Sequence, residues 1–168
     1  MLTLLFAGLL SLTRPASPPA PLPAWAQTYW ATAGLGKTFD RKLYAQPGFL
    51  QADFNGDGKT DVAVLVARRT TGSRGLIILH QGLAQHHVLG NGPNTHRETI
   101  HGDFSWVDHW RIYTKPTTDE VTFEASGGIL GSRVVKLRHP TIEITQEEVG
   151  GGMIYWNGQR YTWIHQSC

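Results

Sequence analysis

Two apolar runs stand out along the chain, Val62-Ala-Val-Leu-Val66 and Leu76-Ile-Ile-Leu79. Both are too short for helices and rich in β-branched residues, so they read as strands, the second as a central strand of a sheet. Polar and glycine-containing stretches separate them from further short apolar segments. Strands are expected over residues 49–53, 61–66, 76–80, 86–89, 110–114, 121–123, 134–137 and 142–145. Thr70-Thr-Gly-Ser-Arg74 reads as a turn, and Gly90-Asn-Gly-Pro-Asn-Thr95 as a loop. Asn157-Gly158, between residues 153–156 and 159–165, predicts a hairpin with a type I′ turn, whose central residues need positive φ. A short helix is expected at residues 28–33, ended by Gly34-Leu-Gly36. The fold class that follows is mainly β: one antiparallel β-rich domain with a short N-terminal helix.

Composition narrows the functional classes. A chain of 168 residues holds one domain and is too short for a propeller of about four to eight four-stranded blades. The 19 glycines and six tryptophans suit a sheet protein with tight turns. The formal net charge is +2, and Lys and Arg are scattered, so no basic stripe marks a nucleic-acid interface. Cys168 is the only cysteine and the last residue, so no internal disulfide can form.

Residues 2–12 form an apolar stretch of signal-peptide length, too short to span a bilayer as a helix. Ala24-Trp25-Ala26 offers an A-x-A cleavage site before Gln27. This divides the chain into an export segment, 1–26, and a mature domain, 27–168. The alternative is a retained signal anchor followed by the stiff Pro15–Pro23 spacer. An extracytoplasmic setting follows from either, secreted or periplasmic, with no membrane span after cleavage.

The sharpest chemical signal is Asp53-Phe-Asn55-Gly-Asp57-Gly58-Lys59-Thr-Asp61. Side-chain oxygens fall at positions 1, 3, 5 and 9 of this loop, with Gly58 at position 6. A hard cation such as Ca²⁺ takes six to eight oxygens at about 2.3–2.6 Å, some from backbone carbonyls. Asp53, Asn55, Asp57 and Asp61 would supply side-chain oxygens and Lys59 its carbonyl, while Gly58 permits the sharp bend. A metal-free turn is the competing reading, because Asp, Asn and Gly are also turn residues. An EF-hand is excluded: its position-12 Glu would fall on Val64, inside the apolar run. The segment Phe49-Leu-Gln-Ala-Asp53-Phe-Asn-Gly-Asp-Gly-Lys-Thr-Asp61-Val-Ala-Val-Leu65 resembles the calcium-binding repeat of the FG-GAP and VCBS type, found in integrin-like β-propellers. The resemblance covers about twenty residues and occurs once. It implies a loop joining two antiparallel strands, Ca²⁺ held by Asp53, Asn55, Asp57 and Asp61, and an extracytoplasmic protein. It implies no particular activity.

Other chemistry is weaker. His101-Gly-Asp103-Phe-Ser-Trp-Val-Asp108-His109 places two imidazoles and two carboxylates within nine residues, which could form a transition-metal site of an exported hydrolase. Its spacings match no ligand pair on a helix or strand; a turn, an Asp cap before a helical stretch, or a carboxylate completing the calcium shell are the alternatives. No Gly-x-Ser-x-Gly elbow or phosphate-binding glycine loop is present. Tyr161, Trp163 and His165 alternate on one strand face; they would stack on a sugar or peptide, or close the core. The expected function is therefore that of a calcium-binding β module without catalysis, monomeric, acting on a protein or carbohydrate surface. The exported metal-dependent hydrolase is the alternative.

Overall fold

The computed structural model describes residues 20–92 and 100–166. It is mainly β, with antiparallel sheets and a small N-terminal helical layer. The helices are α1 (Ala24–Thr32) and α2 (Leu35–Thr38). The strands are β1 (Phe39–Arg41), β2 (Phe49–Ala52), β3 (Asp61–Arg68), β4 (Arg74–Leu79), β5 (His86–Gly90), β6 (His109–Tyr113), β7 (Thr117–Phe123), β8 (Ile129–Lys136), β9 (Thr141–Gln146), β10 (Gly150–Trp156) and β11 (Tyr161–Gln166).

The first sheet runs β1-β3-β4-β5, with β2 pairing β3 beyond the end of β1. Thus β3 is bordered on one edge by β2 at Asp61–Val64 and by β1 at Val66–Arg68, and on the other by β4. The second sheet runs β11-β10-β9-β6, and β7 with β8 makes a separate two-stranded ribbon.

The apolar runs are continuous because β3 and β4 are covered on both faces. Ala63, Leu65, Leu76 and Ile78 face the second sheet and pack with Trp110, Ile142, Ile144, Ile154 and Tyr161 in the main core. Val62, Val64, Val66, Ile77 and Leu79 face the other way, beneath Leu22, Ala26, Leu35 and Phe39. Each buried Val, Leu or Ile side chain among them, removed from water, contributes about 1.5–3 kcal/mol. A third, smaller cluster of Leu137, Met153 and Ile164 lies on the outer face of the second sheet, where the ribbon attaches.

Helix α1 begins four residues before the expected start. Pro23, at φ −51°, stands at its N-cap, and Gln27 N–H donates to the Pro23 carbonyl at 3.0 Å. Buried Leu22 and Ala26 pin the first turn to the sheet. Ala24-Trp25-Ala26 therefore lies in the first turn of an ordered helix, while the apolar stretch 2–12 lies outside the described residues. Among the described residues no helix is long and apolar enough to cross a membrane.

The last hairpin differs from the expected type I′ turn. Gly158 has φ 99°, but Asn157 is not in the left-handed region. The strands pair through Trp156 and Tyr161, leaving a four-residue connection. The Asn157 side-chain oxygen accepts N–H bonds from Gln159 and Arg160, both at 3.0 Å. This local bonding replaces the tighter turn.

Candidate functional site

The loop between β2 and β3 is built by its own side chains. Asp53 Oδ1 accepts N–H bonds from Gly56 (2.7 Å) and Asp57 (3.1 Å), and Oδ2 from Gly58 (2.8 Å). Asn55 Oδ1 accepts from Asp57 N–H at 3.0 Å, and Asp57 Oδ1 from Lys59 N–H at 2.9 Å. Successive oxygens of residues 53, 55 and 57 thus coil the backbone around themselves. Gly56 and Gly58 take φ of 78° and 82°, which a side chain would strain. A Cβ on Gly56 would also meet His139 Nδ1 at 2.6 Å. That ring stacks on Tyr155, and its Nε2 lies 2.9 Å from the Trp156 carbonyl, so the loop abuts the second sheet.

Two residues root the loop. Phe54 turns inward and is buried between the sheets. Asp61, the first residue of β3, is fully buried. Its Oδ2 accepts from Phe54 N–H (3.0 Å) and Asn55 N–H (3.3 Å), and its Oδ1 from Gln81 N–H (3.1 Å). Gln81 also accepts from Thr60 N–H at 3.2 Å, tying the loop to the β4–β5 connection.

The expected ligands therefore fall into two environments. Asp53 and Asn55 are half-buried, Asp57 and Lys59 exposed, and Asp61 lies beneath them. The N–H of Lys59, foremost, holds the Asp57 carboxyl below its ordinary value. Burial raises that of Asp61, opposed by the N–H groups of Gln81, Phe54 and Asn55 and by the His80 imidazole. Among the described residues no three His, Cys, Asp or Glu side chains gather as a metal centre. The expected set instead adds an amide oxygen and a backbone carbonyl to its carboxylates. All these donors are oxygens, which suits a hard cation. Asp53 Oδ2, Asp57 Oδ1 and Asp61 Oδ1 each accept one N–H and keep acceptor capacity to spare, whereas Asp53 Oδ1 and Asp61 Oδ2 each already accept two.

Beside Gln81 stands a residue that sequence reading did not single out. His80 is buried, and its Nε2 lies 2.7 Å from the hydroxyl of Tyr161 on β11. Its ring contacts those of His87, Trp156 and Tyr161. Burial lowers the affinity of the His80 imidazole for a proton, and it raises the Tyr161 phenol above its usual range. Burial, then the neighbouring His80 and His86, push His87 down to about 4. A lone His closing an apolar run was the available signal.

The aromatic ladder on β11 runs from a buried ring at Tyr161 to half-buried ones at Trp163 and His165. Tyr161 is buried, Trp163 packs against the main core beside Trp106, and His165 meets Phe123. A Cβ on Gly152 would sit 2.1 Å from the Trp163 ring, so the indole lies on that glycine.

The segment 101–109 is not drawn into one pocket. His101 lines a cleft of about 740 Å³ between β5 and β11, with His87, Arg160 and Trp163. His109 lines a different one with Arg111 and Glu143. Asp103 Oδ1 accepts from Ser105 N–H (2.6 Å) and Arg74 N–H (3.3 Å). Asp108 Oδ2 accepts from Glu147 N–H at 3.1 Å. Both carboxylates thus cap backbone in separate places.

Comparison of the chain with protein-family models, with curated proteins and with solved structures finds no match.

Proposed function

We propose that the chain is an extracytoplasmic calcium-binding β module, in which one Ca²⁺ stiffens the 53–61 loop and the protein acts by binding a protein or carbohydrate surface. The observation that carries this reading is the division of labour within the loop. Asp53, Asn55 and Asp57 present hard oxygens along one coil of backbone, and Asp61 is buried at its base. The side chains of Asp53, Asn55, Asp57 and Asp61, with the Lys59 carbonyl, would hold the ion. It neutralises carboxylates that otherwise repel one another across a short loop. The resemblance to FG-GAP and VCBS repeats supports the same reading, and so does the apolar, signal-like stretch 2–12. Extracellular modules work with dissociation constants of about 10⁻⁴–10⁻³ M because calcium is abundant there.

The ion's role in this reading is structural. At a hundredfold excess over its dissociation constant it adds about 2.7 kcal/mol to stability. The test is titration calorimetry with Ca²⁺, Mg²⁺ and Zn²⁺, paired with thermal melting in calcium and in chelator. Calcium is expected to bind more tightly than magnesium, which demands a smaller octahedron, and to raise the melting temperature. Absence of calcium heat at millimolar concentration would overturn the reading. The hydrolase alternative is carried no further, because Asp103 and Asp108 are engaged with backbone in separate places and His101 and His109 line different clefts.

A further inference from the structure

Four of the six large hydrophobic side chains exposed among the described residues sit on the β7–β8 ribbon: Phe123, Ile129, Leu130 and Val134. Ile129 is 71% exposed, and Leu130 and Val134 are each 67% exposed. Strand β8 pairs with β7 along one edge, and no strand among the described residues pairs with the other. A lone two-stranded ribbon is marginally stable in water. An apolar edge with unpaired N–H and C=O groups is a template for another strand.

The hydrogen-bond alternation fixes which groups face outward. Leu137 N–H donates to the Pro116 carbonyl at 2.8 Å, and Thr117 pairs with Lys136 in register. Antiparallel pairs alternate between bonded and non-bonded. Val135 and Arg133 therefore turn their backbone groups toward β7. Ser132, Val134 and Lys136 turn theirs to the open edge.

We propose that this edge pairs with the same edge of a second copy of the chain, antiparallel about a two-fold axis through Val134, making one four-stranded sheet from two ribbons. Backbone bonding requires that outward-facing residues oppose one another, which leaves few registers. An axis on Arg133 or on Lys136 sets two cations directly opposite, which is unfavourable, and an axis on Val135 leaves Ser132 opposite Arg138, beyond the end of β8. An axis on Ser132 brings Val134 against Leu130, at the irregularity beside Thr122 and Phe123. An axis on Val134 sets Val134 against its own copy, Ser132 against Lys136 and Arg133 against Val135. No cation then faces another, the exposed valine is covered, and all three outward-facing residues gain their backbone bonds. Such an isologous contact closes on itself as a dimer. An edge this short buries less than the standard interface of about 1,200–2,000 Å², so the association is weak. This departs from the monomer expected from sequence.

Sedimentation equilibrium of the full chain with Cys168→Ser, up to millimolar concentration, tests it. A reversible dimer is expected, weakened at least tenfold by Val134→Lys, which sets two ammonium groups across the axis. The substituted side chain is solvent-facing, so unchanged thermal melting of a dilute sample verifies the fold. Val134→Cys in the same background is expected to give a covalent dimer on mild oxidation, where cysteine at exposed Thr71 does not. A chain that stays monomeric at millimolar concentration overturns the proposal, whether or not it binds lipid vesicles. So does a dimer that Val134→Lys leaves intact.

Discussion

The Nε2 of His80 lies 2.7 Å from the hydroxyl of Tyr161, joining the end of β4 in one sheet to the start of β11 in the other. Both side chains are buried, so neither can turn to water for a substitute partner. Tyr161→Phe keeps the ring and removes the oxygen, leaving a buried imidazole nitrogen unpaired. The expected cost is about 1–3 kcal/mol, read as a lower midpoint in urea denaturation with unchanged slope.

Variants at Asp57 and Asp61 separate the contribution of the proposed ion from that of the backbone cap. Asp57 is exposed, and its carboxylate accepts the Lys59 N–H. Asp57→Ala is expected to abolish the dependence of melting on calcium while changing stability in chelator little. Asp61→Ala strands the N–H groups of Phe54, Asn55 and Gln81. Buried unsatisfied groups cost about 1–3 kcal/mol each, so this variant is expected to melt far lower in chelator and in calcium alike. Differential scanning calorimetry of both variants in both media checks the contrast.

His87 makes stability depend on acid. Its folded-state value is near 4, below the ordinary 6.5. Between those values the unfolded chain takes up a proton that the folded one refuses. The contribution is therefore complete above pH 6.5, declines as pH falls and is gone by about pH 4. His87→Phe is expected to flatten this part of the stability curve, measured by urea midpoints across the same pH range.

The start of the chain has a stability role that truncation can expose. Leu22 and Ala26 are buried against Val62, Val64, Val66 and Ile77. A chain beginning at Gln27 loses both, with Trp25. A buried leucine truncated to alanine costs about 2–5 kcal/mol, and removing the whole first turn is expected to cost at least as much. Thermal melting of chains beginning at Ala20 and at Gln27 measures the difference. Under the proposed export of the chain, mass spectrometry of the secreted material is expected to show which N-terminus is produced.

Strands β3 and β4 were legible because burial on both faces leaves a continuous apolar run. The 53–61 loop was legible because its alternating oxygens leave a spacing. Partial reading came where local bonding competes with propensity. Asn157-Gly158 favours a tight turn, yet the Asn157 side chain captures two N–H groups and widens it. Helix α1 was placed late because its first turn is held by Leu22 and Ala26 packing on a distant sheet. Short β1 and α2 were missed for the same reason. The burial of Asp61 and the pairing of His80 with Tyr161 depend on contacts between residues 20 and 81 positions apart. No local pattern encodes such contacts.

Asp61 closes the surface loop and also opens the strand that both apolar layers share. Disturbing its carboxylate would loosen the whole molecule rather than a frayed tip, exposing scissile backbone deep inside β3. Digestion would then report on the loop from afar: resistance to a general protease should rise or fall with whatever the 53–61 oxygens hold.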